Sequence, residues 1–122
     1  MTKDKQNQTS FSQNRVSLSA ALSRLPGPQG ERFAEVFAHG SLVVEIFAPR
    51  GVDTQQPHTR DEVYLVVQGS GEFLSGDARQ QIAAGDFLFV PAGVSHRFEN
   101  FTDDLVLWVL FYGPEGGEAT KV

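Results

Sequence analysis

Three residues of this chain have the types and spacing to do chemistry together: His58, Glu62 and His96. Two imidazoles and one carboxylate form a donor set that binds Fe(II), Mn, Ni or Zn and leaves coordination positions open for a substrate. The chain has no cysteine, so any metal must be held by nitrogen and oxygen, and thiolate zinc-finger chemistry is excluded. Side chains alternate along a regular strand, which would put Gln56, His58, Arg60, Glu62, Tyr64 and Val66 on one face, with His96 arriving from another strand. Blander readings stand beside this one. His58 follows Pro57 and could be a solvated loop histidine, and Glu62 could pair with Arg60. Gln56 is either a ligand through its amide oxygen or a residue facing water. Arg60 could clamp an anionic group or pair on the surface with Asp61 or Glu62. Tyr64 and Phe98 read as barrel filling that shapes an apolar pocket where they face inward. His39, beside Gly40, reads as a turn residue rather than a ligand.

The elements that must position these groups follow from the hydrophobic pattern. At 122 residues the chain is the size of one domain, and 40% apolar with 20% charged residues is ordinary for a globular fold. Residues 1–14 are polar and lack a period, which predicts a disordered tail. From Ser17, Leu18, Ala21, Leu22 and Leu25 recur at helical spacing, with serines to cap the helix and Pro26-Gly27-Pro28 to stop it. Residues 15–30 are therefore a short helix and linker. Eight short apolar runs follow, at 33–37, 42–47, 63–67, 71–74, 79–82, 87–90, 95–99 and 105–112, separated by Gly, Pro and Asp turns. Such spacing means an all-β sandwich or barrel over residues 31–113, with 114–122 as a flexible tail.

The segment GDFLFVPAGVSHRFEN, residues 85–100, resembles the second motif of the cupin family at every defining position: Gly85, Pro91, Gly93, His96 and Asn100. The segment from Gly51 to Gly69 resembles the first motif less completely. His58 and Glu62 stand at the right distances from Gly69, but Gln56 occupies a histidine position and the leading glycine is one residue too close. The resemblance covers roughly residues 33–112. It implies a cupin-type double-stranded β-helix, or jelly-roll barrel, with one divalent metal inside it (Zn, Fe, Mn or Ni) held by His58, Glu62 and His96, with Gln56 in the place of the missing histidine. Mannose-6-phosphate isomerases of the superfamily show a similar Gln-x-His pair, so the change need not abolish binding.

Ten Lys plus Arg against fifteen Asp plus Glu give a net charge of -5 with no basic stripe, so nucleic acid and anionic membrane are not expected partners. No apolar run approaches the roughly 20 residues of a membrane span, and the first ten residues are polar, so a cytoplasmic protein is expected. Residues 63–67 and 105–112 are apolar on both alternating faces, and a homodimer is expected to cover what the helix does not. Two functions follow from the resemblance. One is a small metalloenzyme of isomerase, epimerase, lyase or dioxygenase type acting on a small-molecule metabolite. The other is a non-catalytic small-molecule binder or sensor. The chain carries no DNA-binding helix pair through which a sensor could act, which favours the enzyme.

Overall fold

The computed structural model describes residues 14–119. Eight strands carry the fold: β1 (Phe33–His39), β2 (Leu42–Phe47), β3 (Asp61–Gln68), β4 (Ser70–Ser75), β5 (Ala78–Ala83), β6 (Phe87–Val90), β7 (His96–Glu99) and β8 (Val106–Tyr112). They form a five-stranded sheet in the order β1-β2-β8-β3-β6 and a three-stranded sheet in the order β5-β4-β7, with every pairing antiparallel. The expected all-β jelly-roll barrel is the fold observed.

Strand alternation decides what enters the barrel. On β3, Glu62, Tyr64 and Val66 are buried inward, and on β7 His96 and Phe98 are buried while Arg97 is exposed. The inward residues of both sheets meet in one core, in which Phe47, Tyr64, Leu107 and Val109 of the larger sheet pack against Phe73, Ile82 and Phe98 of the smaller. Tight joints need glycine in places. At Gly69, φ is +85°, and a Cβ would stand 2.7 Å from the Cα of Leu105, so no other residue fits that turn.

A second apolar cluster lies on the outer face of β1, β2 and β8. There Ala21 of helix α1 (Leu18–Leu22) is buried against Val36, Ile46, Ala48 and Val106. Ser17 caps α1 by accepting from the Ala20 N–H. The helix is shorter than the apolar spacing through Leu25 predicts. Tighter turns replace it from Arg24, and Leu25 precedes Pro26, a position that disfavours helical backbone.

The tail expected over residues 1–14 lies outside the described residues except for Asn14. The tail expected to be flexible after Gly113 instead turns back on the barrel through residue 118. The Gly116 N–H donates to the Thr59 carbonyl at 2.7 Å, and the Glu118 N–H donates to Asp61 Oδ2 at 2.8 Å. Among the described residues no helix is long and apolar enough to cross a membrane.

Candidate metal centre

Three separate pieces of chain bring the candidate ligands together. Glu62 is the second residue of β3, aimed inward and 1% exposed. His96 opens β7 and is likewise buried. His58 sits in the loop before β3, half-buried, and its carbonyl accepts the Gly93 N–H at 2.7 Å. The Pro91-Ala92-Gly93 turn that launches β7 therefore also holds the His58 segment. Oε1 of Glu62 lies 3.1 Å from Nε2 of His96 and 3.9 Å from Nε2 of His58. One ligand atom from each of the three residues falls within 4.8 Å of the others, a spacing that a single ion can bridge.

The surrounding bonds orient these groups. Nδ1 of His96 lies 2.9 Å from the Val94 carbonyl and donates to it, which leaves Nε2 facing the site. Nε2 also lies 3.1 Å from Oε1 of Gln55, a group that the alternation argument does not single out. The amide nitrogen of Gln55 donates to Asp53 Oδ2 at 2.6 Å, so the amide oxygen turns inward, where it also accepts from the Tyr64 hydroxyl at 2.8 Å. Asp53 is buried and accepts the Phe98 N–H at 2.9 Å, which ties the loop to β7. Two acceptor oxygens thus converge on one imidazole nitrogen. Burial opposes a charge on His96, but the Glu62 carboxylate, the Val94 carbonyl and the Asp53 charge outweigh it and raise the pKa above its ordinary value. Oε1 of Glu62 is buried and meets no ordinary hydrogen-bond donor, only the two imidazoles. A buried carboxylate oxygen of this kind fits a cation.

The other residues named from sequence are placed differently. Gln56 is exposed, its amide 3.5 Å from the Thr54 carbonyl, because residues 52–58 form an irregular loop through Pro57 and β3 starts only at Asp61. Gln55 takes the inward place that Gln56 was expected to fill. Arg60 does not line the cavity beside the triad. It donates to the Ser41 carbonyl and borders a shallow groove, with Val43, His58, Thr59 and Phe111, that adjoins the cavity at His58 and Phe111. Tyr64 does line the cavity, and burial followed by the nearby Glu62 pushes its hydroxyl well above the ordinary tyrosine value. Phe98 is core, its ring centroid 5.1 Å from that of Tyr64, which it meets edge to face, and 5.1 Å from that of Phe73, to which it is tilted. Asn100 leaves the inward face at φ 49° and donates to Glu72 Oε1 at 2.8 Å. His39 is exposed at the end of β1.

The cavity has a volume of about 190 Å³, and His58, Glu62, Gln55 and Tyr64 share its wall with Glu45 of β2. Sequence reasoning missed Glu45. The signal was available, since Glu45 alternates inward with Phe47 in an otherwise apolar strand. Burial, then the charges of Glu62 and Glu35, push its carboxyl up to about 7.

With this architecture in view, the family follows. The Cupin domain model matches residues 43–112, more than half of the chain, and the protein belongs to the cupin family. It is similar to an uncharacterised protein of Streptomyces coelicolor, 44% identical over 63 residues, which cover 52% of this chain and 60% of that one. It is also similar to the acireductone dioxygenase of Drosophila melanogaster, 34% identical over 58 residues, which cover 43% of this chain and 31% of that enzyme. The matched regions thus span less than two thirds of either relative. Among solved structures, KdgF from Halomonas sp. superposes with a TM-score of 0.58 at 23% identity, over 66% of this chain and 76% of that one. At that identity the likeness concerns the fold.

Proposed function

We propose that this protein is a metal-dependent cupin acting on a small-molecule metabolite, with one divalent ion held by His58, Glu62 and His96 and with the Gln55 amide oxygen as a fourth donor. The convergence of three ligand atoms within 4.8 Å of one another, beside a cavity, carries this reading. A likeness to acireductone dioxygenase over part of the chain supports the enzyme over the sensor. Nitrogen and oxygen donors of this kind suit Fe(II), Mn, Ni or Zn. The ion would supply Lewis acidity to a substrate carbonyl or hydroxyl.

The chain's own residues have separate tasks. Val94 fixes the ring of His96, and Asp53 fixes the amide of Gln55, so the donor atoms are oriented before any ion arrives. The Tyr64 hydroxyl, kept protonated by burial, donates to Gln55 and is one of the hydrogen-bonding groups of the cavity wall. Protein purified without a metal-chelating tag and loaded separately with Fe(II), Ni, Mn and Zn should turn over at least one compound in a panel of small hydroxy-carbonyl and dicarbonyl compounds. Tight binding of a panel member with no turnover under any metal would assign the non-catalytic function instead.

A further inference from the structure

The cavity beside the metal-ligand triad combines a small volume with an unusual charge pattern. At about 190 Å³ it is below the roughly 300–1,000 Å³ of sites that enclose drug-sized molecules, so its occupant has few heavy atoms. Phe33, Phe47, Val109 and Phe111 give it apolar walls. Its ionisable groups besides His58 and Tyr64 are two carboxylates, Glu62 and Glu45, and Glu35 stands opposite Glu45 in the β1–β2 register. Among the described residues no arginine or lysine lines it. The nearest arginine, Arg60, donates to the Ser41 carbonyl and borders an adjoining groove that meets the cavity at His58 and Phe111, while Arg32 is engaged on the Ala48 carbonyl and Arg79 and Arg97 on Glu72 and Glu99. Arg15 and Arg50 line other grooves.

Phosphate and carboxylate groups are recognised by guanidinium forks and ammonium groups, which this cavity lacks. An anionic group pointing away from the metal would meet the Glu45 carboxylate in a half-apolar, weakly screened space. A hydroxyl or amine there would instead find an acceptor that has no hydrogen bond or ion pair with any described residue. Glu62, 1% exposed and without an ordinary donor on Oε1, marks the ligand end of the same space.

We infer that Glu45 is a specificity-determining residue, and that the cavity takes a small uncharged or cationic molecule presenting a hydroxyl, carbonyl or amine while excluding molecules that carry a phosphate or carboxylate. This rests on the metal-site reading for the end of the ligand that faces the ion, but not for the end that faces Glu45. The substrate panel narrows accordingly to neutral hydroxy-carbonyl compounds and their amines.

A matched set of probes tests this: catechol, 3,4-dihydroxybenzylamine and 3,4-dihydroxybenzoate, which share a pair of adjacent oxygens and differ in the charge at the far end. Each is titrated by calorimetry at pH 8 into the Zn-loaded wild type, Glu45→Gln and Glu45→Ala. Zn content of all three proteins is fixed beforehand by chelator competition. The benzoate should bind the wild type at least about tenfold more weakly than catechol, a difference of about 1.4 kcal/mol, and the gap should close to within about threefold in both variants. Equal affinities in the wild type, a gap that persists in both variants, or no catechol binding would overturn the inference. If the wild type takes up no Zn, the metal-site reading fails. The same titrations on the metal-free protein must then show the same order for the Glu45 inference to survive.

Discussion

At the scale of single residues, His96 is suited to hold an ion because its two nitrogens are given different partners. Nδ1 is spent on the Val94 carbonyl, and Nε2 faces Glu62 and Gln55. A raised pKa on a metal ligand means that protons compete for the site at a higher pH than for an ordinary histidine. Metal affinity should therefore start to fall at a pH above the usual 6.5 of histidine, and it should keep falling, by about tenfold per pH unit, once His96 is mostly protonated. Chelator competition from pH 8 to pH 5 measures this, and an affinity flat down to pH 6 would contradict it. The two neighbouring glutamines separate equally sharply. Gln55→Ala should weaken metal binding about tenfold, since it removes an inward oxygen and releases Tyr64 and Asp53, whereas Gln56→Ala should change nothing. His58, Glu62 and His96 were legible in the sequence because motif spacing reports them directly. Gln55 was not, because the alternation that pointed to Gln56 presumes a strand, and Pro57 lies in a loop whose turn only tertiary contacts with Asp53 determine.

At the scale of elements, the ligand-bearing segment 58–62 is held from two sides. Asp61, buried at the start of β3, accepts the Ala92 N–H at 3.0 Å through Oδ1 and the Glu118 N–H at 2.8 Å through Oδ2. The turn before β7 and the chain after β8 thus meet on the residue next to Glu62. Gly117 has φ +90°, and a Cβ there would stand 2.9 Å from Asp61 Oδ1 and 3.1 Å from Ala92 Cβ. Gly117→Ala should push the C-terminal segment off Asp61 and cost about tenfold in metal affinity, about 1.4 kcal/mol, while the thermal midpoint of the metal-free protein moves little. An unchanged affinity would show that the strap does not position the ligands. All eight strands were visible in the sequence because Gly, Pro and Asp punctuate short apolar runs. This strap was invisible, because its bonds are made by backbone N–H groups of a Gly- and Glu-rich stretch that has no pattern of its own.

At the scale of the whole molecule, α1 covers only part of the outer face of the five-stranded sheet. Leu65 of β3 and Phe87 and Phe89 of β6 remain 38%, 64% and 45% exposed, adjacent in the β3–β6 register. Such a contiguous patch favours burial against a second copy, as in interfaces of more than about 1,000 Å². Sedimentation velocity at micromolar concentration should give a dimer for the wild type and a monomer for Phe87→Glu with Phe89→Lys. A monomeric wild type would leave that face to some other cover. Such a dimer would leave the proposed metal centre untouched, since His58, Glu62 and His96 of a single chain bring their ligand atoms within 4.8 Å of one another. The central claim is tested most directly by elemental analysis of the tag-free protein beside His58→Ala and His96→Ala. About one divalent ion per wild-type chain is expected, falling at least about tenfold in each variant while the far-ultraviolet circular dichroism is unchanged. Equal metal content in the wild type and both variants, or none in a wild type incubated with each candidate metal, would contradict it.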